Sequence, residues 1–270
     1  MMNTAIIVGL GSDIGRELAA RFVADGWTVI GTHRNTPPGS FESTPCDLAS
    51  AASVVAAGRW LSERCRGWRA LVVAAGTEEP VGPFWDCDAE DWDRGVRINT
   101  LSPLRLVRTL YPLRDQGGAP AVAFFSGSGT NNAAPAYSAY AASKLMLIKM
   151  CELLDAESAD TSFFIIGPGI VRTKIHGETL RAEGRAGANH RRVVEFLRSA
   201  DPGTSHDDVY GCLRWCLQAG KRVVGGRNIS LVHDAWRDGG EGLREWLAGD
   251  ANRYKLRRFG NEHRIERTAR

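Results

Sequence analysis

The stretch YSAYAASK at residues 137–144 sets Tyr140 four residues before Lys144, at the front of an apolar run that reads as a helix. Residues four apart share a helical face, so the lysine ammonium stands beside the phenol. An unperturbed tyrosine titrates near about 10, too high to exchange protons readily at neutral pH. A neighbouring positive charge favours phenolate and lowers that value, which would make Tyr140 a usable general acid and base. Tyr137 lacks such a partner, because Ala141 occupies the matching position. The pattern predicts proton transfer, with Tyr140 as donor and Lys144 as its tuner. Y-x-x-x-K alone is a common accident of helices, so its weight depends on the rest of the chain.

A second group of residues could hold a phosphate. VGLGSDIGRELAARF at 8–22 joins an apolar run to a helical pattern, and Gly9, Gly11 and Gly15 permit a tight turn with close backbone approach. The helix that follows offers unpaired N–H groups to an anion. A site for NAD usually carries Asp or Glu about 20 residues further on, at the end of the second strand. Here the chain reads VIGTHRN, with no acid between Asp25 and Glu42. Arg34 can meet a 2′-phosphate instead, with His33 as a possible helper, so the expected cofactor is NADP(H). A solvent-facing arginine after a strand is the plain structural alternative.

These residues need a scaffold, and the pattern supplies one. Runs at 4–9, 28–32, 70–75, 121–126, 162–167 and 226–232 read as strands buried on both faces. Helical patterns lie near 14–25, 49–66, 89–113, 137–158 and 206–219. Such alternation predicts an α/β fold, a doubly wound Rossmann-type parallel sheet of about seven strands with helices on both faces. One catalytic domain is expected over residues 1–235, with a polar lid at 173–200 and a basic C-terminal tail at 236–270. With 270 residues and 43% apolar content the core is ample. No run approaches the roughly 18 apolar residues of a membrane span, and no signal peptide is read at MMNTAIIVGLG. The six cysteines form no C-x-x-C pair, so neither a disulfide framework nor a metal site is expected. The net charge of +3 comes without a nucleic-acid motif. A cytoplasmic protein with a small-molecule substrate, and with neither nucleic acid nor membrane as partner, is the expectation.

The conjunction of GLGSDIG at 9–15, CDL at 46–48, AAG at 74–76, RIN at 97–99, SGSGT at 126–130, Y-x-x-x-K and GPGIVRT at 167–173 resembles the short, single-domain branch of the short-chain dehydrogenase/reductase family, over about residues 4–232. The resemblance implies a nicotinamide cofactor held by Gly9, Gly11, Ser12, Asp13, Ile14 and Gly15, with His33 and Arg34 at the adenosine phosphate. Asp47 and Leu48 would border the adenine, and Ala75 and Gly76 the ribose. Pro168, Gly169 and Thr173 would shape the nicotinamide site. Asn99 would hold a relay water, Ser126 would bond the reacting oxygen, Tyr140 would transfer the proton, and Lys144 would also bind the nicotinamide ribose. Each has a plainer reading: Asn99 as a brace, Pro168 and Gly169 as a turn, Asp47 as N-cap of a helix beginning at Leu48. Ser128 competes with Ser126, which lies 14 residues before Tyr140, one more than is usual. Two departures stand out. Asp13 replaces the usual second glycine, and Val73 and Ala74 replace side chains that would brace the central strand.

The activity implied is hydride transfer between nicotinamide and a carbonyl or secondary alcohol of a small polar substrate. Lys174, Arg181, Arg185, His190, Arg191 and Arg192 make the lid basic, against Glu178 and Glu183. This points to an anionic substrate such as a nucleotide-activated or phosphorylated sugar, and to carbohydrate biosynthesis; a solvated charged helix is the competing reading. A catalytically silent NADP(H)-binding sensor or assembly protein is the alternative function. A sugar epimerase or dehydratase on the longer related fold would need a substrate domain that the 38 residues after Val232 do not provide. The resemblance also implies a homodimer or homotetramer, built on the helices near 89–113 and 137–158.

Overall fold

The computed structural model of the chain describes residues 3–35 and 37–258. Seven strands, β1 (Thr4–Val8), β2 (Thr28–His33), β3 (Glu42–Pro45), β4 (Ala70–Val73), β5 (Ala121–Phe125), β6 (Ser162–Gly167) and β7 (Asn228–Ser230), form one sheet in the order β3-β2-β1-β4-β5-β6-β7. Every pairing is parallel. The order reverses between β1 and β4, and in such sheets ligands bind beyond the carboxyl ends of the strands at that point.

The helices are α1 (Asp13–Ala24), α2 (Ala51–Arg64), α3 (Ala89–Val96), α4 (Ser102–Leu110), α5 (Ser138–Glu157), α6 (His176–Arg181), α7 (Ala188–Arg198), α8 (His206–Ala219), α9 (Lys221–Val224) and α10 (Glu241–Ala248). Strand alternation divides the core in two. Ala5 and Ile7 face a cluster with Leu18 and Phe22 of α1, Leu213 of α8 and Leu247 of α10. Ile6 and Val8 face Leu61 of α2, Leu106 of α4 and Leu147 of α5. Burial on both faces is why the central strands are continuous apolar runs rather than alternating ones.

Three features depart from the sequence reading. Strand β3 was not expected, because ESTP is polar and carries a proline; it is an edge strand with an unburied face, where both are tolerated. The helix near 89–113 is broken by a π turn at Arg97–Leu101, so α3 and α4 are separate segments. The packed structure also runs past residue 235. Trp236, Leu243 and Leu247 lie in the core, and the buried Arg227 guanidinium donates to the carbonyls of Arg222, Val223, Leu247, Asp250 and Arg253. Charge alone suggested a solvated tail, but one buried arginine fork organises the segment up to residue 253. The rest of the predicted tail, residues 259–270, lies outside the described residues. All six cysteines are free thiols, and no described helix is long and apolar enough to cross a membrane.

Candidate active site

Helix α5 buries a stripe that includes Ala139, Tyr140, Ser143, Lys144, Leu147, Ile148 and Cys151. Tyr140 and Lys144 are on that stripe because they are four apart, so both point inward beneath the strand ends. Small residues Ala139 and Ser143 let the π turn approach, and Thr100 donates to the Ser143 carbonyl at 3.1 Å. Lys144 is 6% exposed; its Nζ donates to the Phe125 carbonyl at 2.8 Å and lies 5.4 Å from the centre of the Tyr140 ring. Burial, with no carboxylate beside it, brings the Lys144 ammonium down to about 8.

Tyr140 corrects one expectation. Burial, reinforced by the charges of Glu78 and Glu178 and by Tyr137, holds its phenol well above the ordinary tyrosine range rather than below it. The nearby ammonium is outweighed by desolvation of the phenolate. In the ligand-free protein Tyr140 is therefore protonated at neutral pH, and is a weaker acid than a free tyrosine. Its hydroxyl lies against Gly127, where a side-chain carbon would collide with it.

Asn99 sits in the π turn and is 1% exposed. Its Oδ1 accepts from the Thr77 N–H at 2.9 Å, and its Nδ2 donates to the Thr77 carbonyl at 2.8 Å. This pair replaces the bracing that Val73 and Ala74 cannot give to the end of β4. The Asn99 side chain is therefore a clamp. Four residues on, Pro103 has no N–H, so the Asn99 carbonyl cannot receive the ordinary helical hydrogen bond. The carbonyl, rather than the amide, is the part suited to a water.

Ser126 ends β5, is buried, and donates a long 3.4 Å bond to Asn228 Oδ1. Ser128 is exposed. Neither serine has a described hydrogen bond to Tyr140. Ser126 shares the strand end with the Tyr140 hydroxyl but is turned toward β7, and a bond this long is weak enough to exchange.

On the cofactor side, Gly9 adopts φ +97°, and a side-chain carbon there would lie 2.7 Å from the Ala75 nitrogen. The tight turn into α1 therefore requires glycine. Ser12 caps α1 by accepting from Gly15 N at 2.9 Å, which leaves the Asp13 and Ile14 amides of the first turn without intrahelical acceptors. Gly11 continues the same loop. A carbon on Gly76 would lie 3.1 Å from Asn99 Oδ1 and 3.8 Å from Lys144 Nζ, so the bare backbone keeps this face open between loop and lysine. These features fit a dinucleotide lying across the switch point. Arg34 is exposed just past β2, whereas His33 is 4% exposed with Nδ1 3.0 Å from Ser43 Oγ, directed into the sheet edge. Asp47 is exposed and accepts from Ala49 N; α2 is capped by Ser50, not by Asp47. Leu48 is buried, and its carbonyl accepts from Ser102. Pro168 is buried, Gly169 has φ +73°, and Thr173 is half-buried at the root of the lid.

The sequence reading missed a half-buried acid pair. Glu178 of α6 accepts from Thr77 Oγ1 at 2.9 Å and from Glu78 N at 2.5 Å. Glu78 accepts from Thr179 Oγ1 at 2.6 Å, and Thr179 shares a 2.6 Å bond with the Tyr137 hydroxyl. Burial, with Glu178 adding to it, raises Glu78 to about 7. The acids of TEEP at 77–80 were the available signal, but only the fold brings them to α6. The lid's cations lie elsewhere: Arg181 pairs with Glu79 at 3.3 Å, and Arg191 and Arg192 are exposed.

A family model described as short chain dehydrogenase matches residues 3–184. An uncharacterised short-chain type dehydrogenase/reductase of Sinorhizobium fredii is 28% identical over 203 residues, covering 68% of this chain and 80% of its own. A short chain dehydrogenase/reductase of Saccharomyces cerevisiae superposes with a TM-score of 0.75 at 20% identity, covering 87% of this chain and 98% of that one. A short chain dehydrogenase from Shigella flexneri, complexed with NADP, has a TM-score of 0.70 at 19% identity, covering 85% and 97%. The seven-stranded parallel sheet agrees with these likenesses, and the chain belongs to the short chain dehydrogenase family, a family of oxidoreductases that use a nicotinamide cofactor.

Proposed function

We propose that the protein is an NADP(H)-dependent oxidoreductase that interconverts a carbonyl and a secondary alcohol on a small polar substrate. The observation that carries this reading is the Lys144 ammonium buried one turn from a buried, protonated Tyr140, beyond the carboxyl end of β5 in the same sheet as the glycine turn. The nicotinamide supplies or accepts the hydride when bound. Tyr140 gives its proton to the oxygen of the carbonyl being reduced, and takes it back in the reverse direction. Lys144 steadies the charge left on the phenol. Asn99 fixes the Thr77 backbone, and its main-chain carbonyl, which Pro103 cannot serve, is the group proposed to hold a relay water. Ser126, turned from Asn228, donates to the reacting oxygen.

The preference for NADP rests on Arg34, exposed beyond β2 where no acid is available for a ribose hydroxyl. The substrate reading is supported by the acids whose charges act on Tyr140, Glu78 and Glu178. They suit a neutral, hydroxyl-rich molecule better than a phosphorylated or nucleotide-activated sugar, whose phosphates would need the lid's outward cations. A homodimer or homotetramer in the cytoplasm completes the proposal; Leu101, Met146 and Leu153 are exposed on the helical segments expected to associate. The test is a screen of carbonyls and alcohols following NADPH absorbance, with Tyr140→Phe as control. Turnover that survives this substitution would remove Tyr140 as the proton donor, and NADPH binding by the parent chain with no turnover on any substrate would leave the silent NADP(H)-binding alternative in front.

A further inference from the structure

Asp13 stands at the first position of α1, where the helix N-terminus favours an anion. A carboxylate there competes with any phosphate brought to the glycine turn. It is met from across the cleft by one lid residue. The Lys174 N–H donates to Asp13 Oδ2 at 2.7 Å, and the Lys174 Nζ lies 3.8 Å from Asp13 Oδ1 while donating to the Gly11 carbonyl at 2.6 Å. Arg16 adds only a 3.5 Å contact from the outer side. Lys174 therefore already holds an anionic group at the mouth of the turn, with a backbone donor and an ammonium together.

The other basic groups of this segment are committed differently. Arg172 donates to the carbonyls of Phe196, Leu197, Ser199 and Asp201, and Arg181 pairs with Glu79. Among the described residues of the lid, Lys174 is the one whose ammonium rests on the glycine turn. Its side chain is 68% exposed, so it can swing from the Gly11 carbonyl to another acceptor without leaving water. Its carbonyl accepts from Gly177 N at the start of α6, which ties its position to that of the lid.

We propose that Lys174 is a lid-borne ligand for the cofactor's diphosphate, and that the Asp13 carboxylate occupies this lysine in the ligand-free protein. The proposal rests on the cofactor reading above but not on its NADP preference, since the diphosphate is common to both dinucleotides. Phosphate oxygens carry more charge than one carboxylate and draw the ammonium and the N–H from Asp13. The exchange closes the root of the lid over the cofactor with a lysine that the glycine motif itself does not contain.

The test is equilibrium binding of NADP⁺, NAD⁺ and adenosine 2′-monophosphate to the full chain, followed by tryptophan fluorescence at two salt concentrations. Lys174→Met should weaken both dinucleotides about tenfold, the size of one charge-assisted contact in a partly exposed site. It should leave adenosine 2′-monophosphate, which has no diphosphate, unchanged, and should reduce the salt dependence of dinucleotide binding. Lys174→Arg should restore most of the affinity. Asp13→Gly removes the competing anion and should tighten both dinucleotides. Dinucleotide affinities within twofold of the parent in Lys174→Met would overturn the proposal. So would weakening by Asp13→Gly that equals and does not add to that of Lys174→Met, because the lysine would then act only as a strap through Asp13. A loss confined to NADP⁺ would also overturn it, assigning the lysine to the 2′-phosphate. If the parent chain binds neither dinucleotide, the cofactor reading itself falls, and the proposal with it.

Discussion

Tyr140 and Lys144 share a face but not a fate on substitution. Tyr140→Phe keeps the packing against Gly127 and removes the proton, so turnover should fall by about 10²-fold or more while NADPH still binds; steady-state rates with a binding titration check both halves. Lys144→Met should impair turnover and cofactor affinity together, since its ammonium serves the phenol and faces the open backbone at Gly76. For the cofactor, Arg34→Ala should weaken NADP much more than NAD, and equal weakening would remove Arg34 from the 2′-phosphate. Ser126→Ala should lower kcat at near-normal cofactor affinity, whereas Ser128→Ala, at an exposed position, should change little; the reverse pattern would give the role to Ser128. At this scale the sequence was informative about identity and poor about direction. Spacing alone placed Tyr140 and Lys144 on one face. It could not reveal that burial and two acids raise the phenol, because Glu78 and Glu178 are 100 residues apart in the chain. Nor could it show the Ser126 hydroxyl turned toward Asn228.

Helix α6 is fastened by carboxylates to the end of β4, and its hold should depend on pH. Glu78 faces Thr179 and Glu178 of α6, Tyr140 of α5 and Tyr137 just before it, and lies beside Glu79, which pairs with Arg181. Its carboxyl titrates at about 7 when packed, against 4.5 when free. The packed state therefore binds the proton more tightly, and its advantage is complete below 4.5 and lost as pH rises through 7. Amide exchange in α6, corrected for intrinsic rates, should quicken between pH 5 and 8 relative to α5. Glu78→Gln should hold α6 down across that range; a profile unchanged from the parent would remove Glu78 from the latch. Elements with strong apolar period were legible: β6 was expected at the observed residues, and α8 likewise. The π turn was not, since a helical pattern continues through RINTL and only Pro103 hints that the ladder must skip.

Across the whole molecule, the parallel sheet and its two apolar faces could be read from the runs of β-branched residues, but the closing segment could not. Its charge is that of a solvated tail, and what folds it is the burial of Trp236, Leu243 and Leu247 together with one buried arginine. Arg227→Ala would leave five carbonyls without their donor and should cost on the order of 3 kcal/mol, measured by urea unfolding, with the loss of order greatest after residue 236. The same segment has a second office. The N–H of Asn228 donates to the Tyr254 carbonyl at 3.0 Å, so residues after α10 cover the outer rim of β7. A chain cut at residue 235 would keep every residue of the proposed site yet expose that rim, with an unpaired donor beside apolar surface meant for Trp236, Leu243 and Leu247. Such an edge is a template for another strand. The shortened protein should therefore self-associate as it is made and accumulate as aggregate, and light scattering would show that the closing segment guards solubility as much as stability.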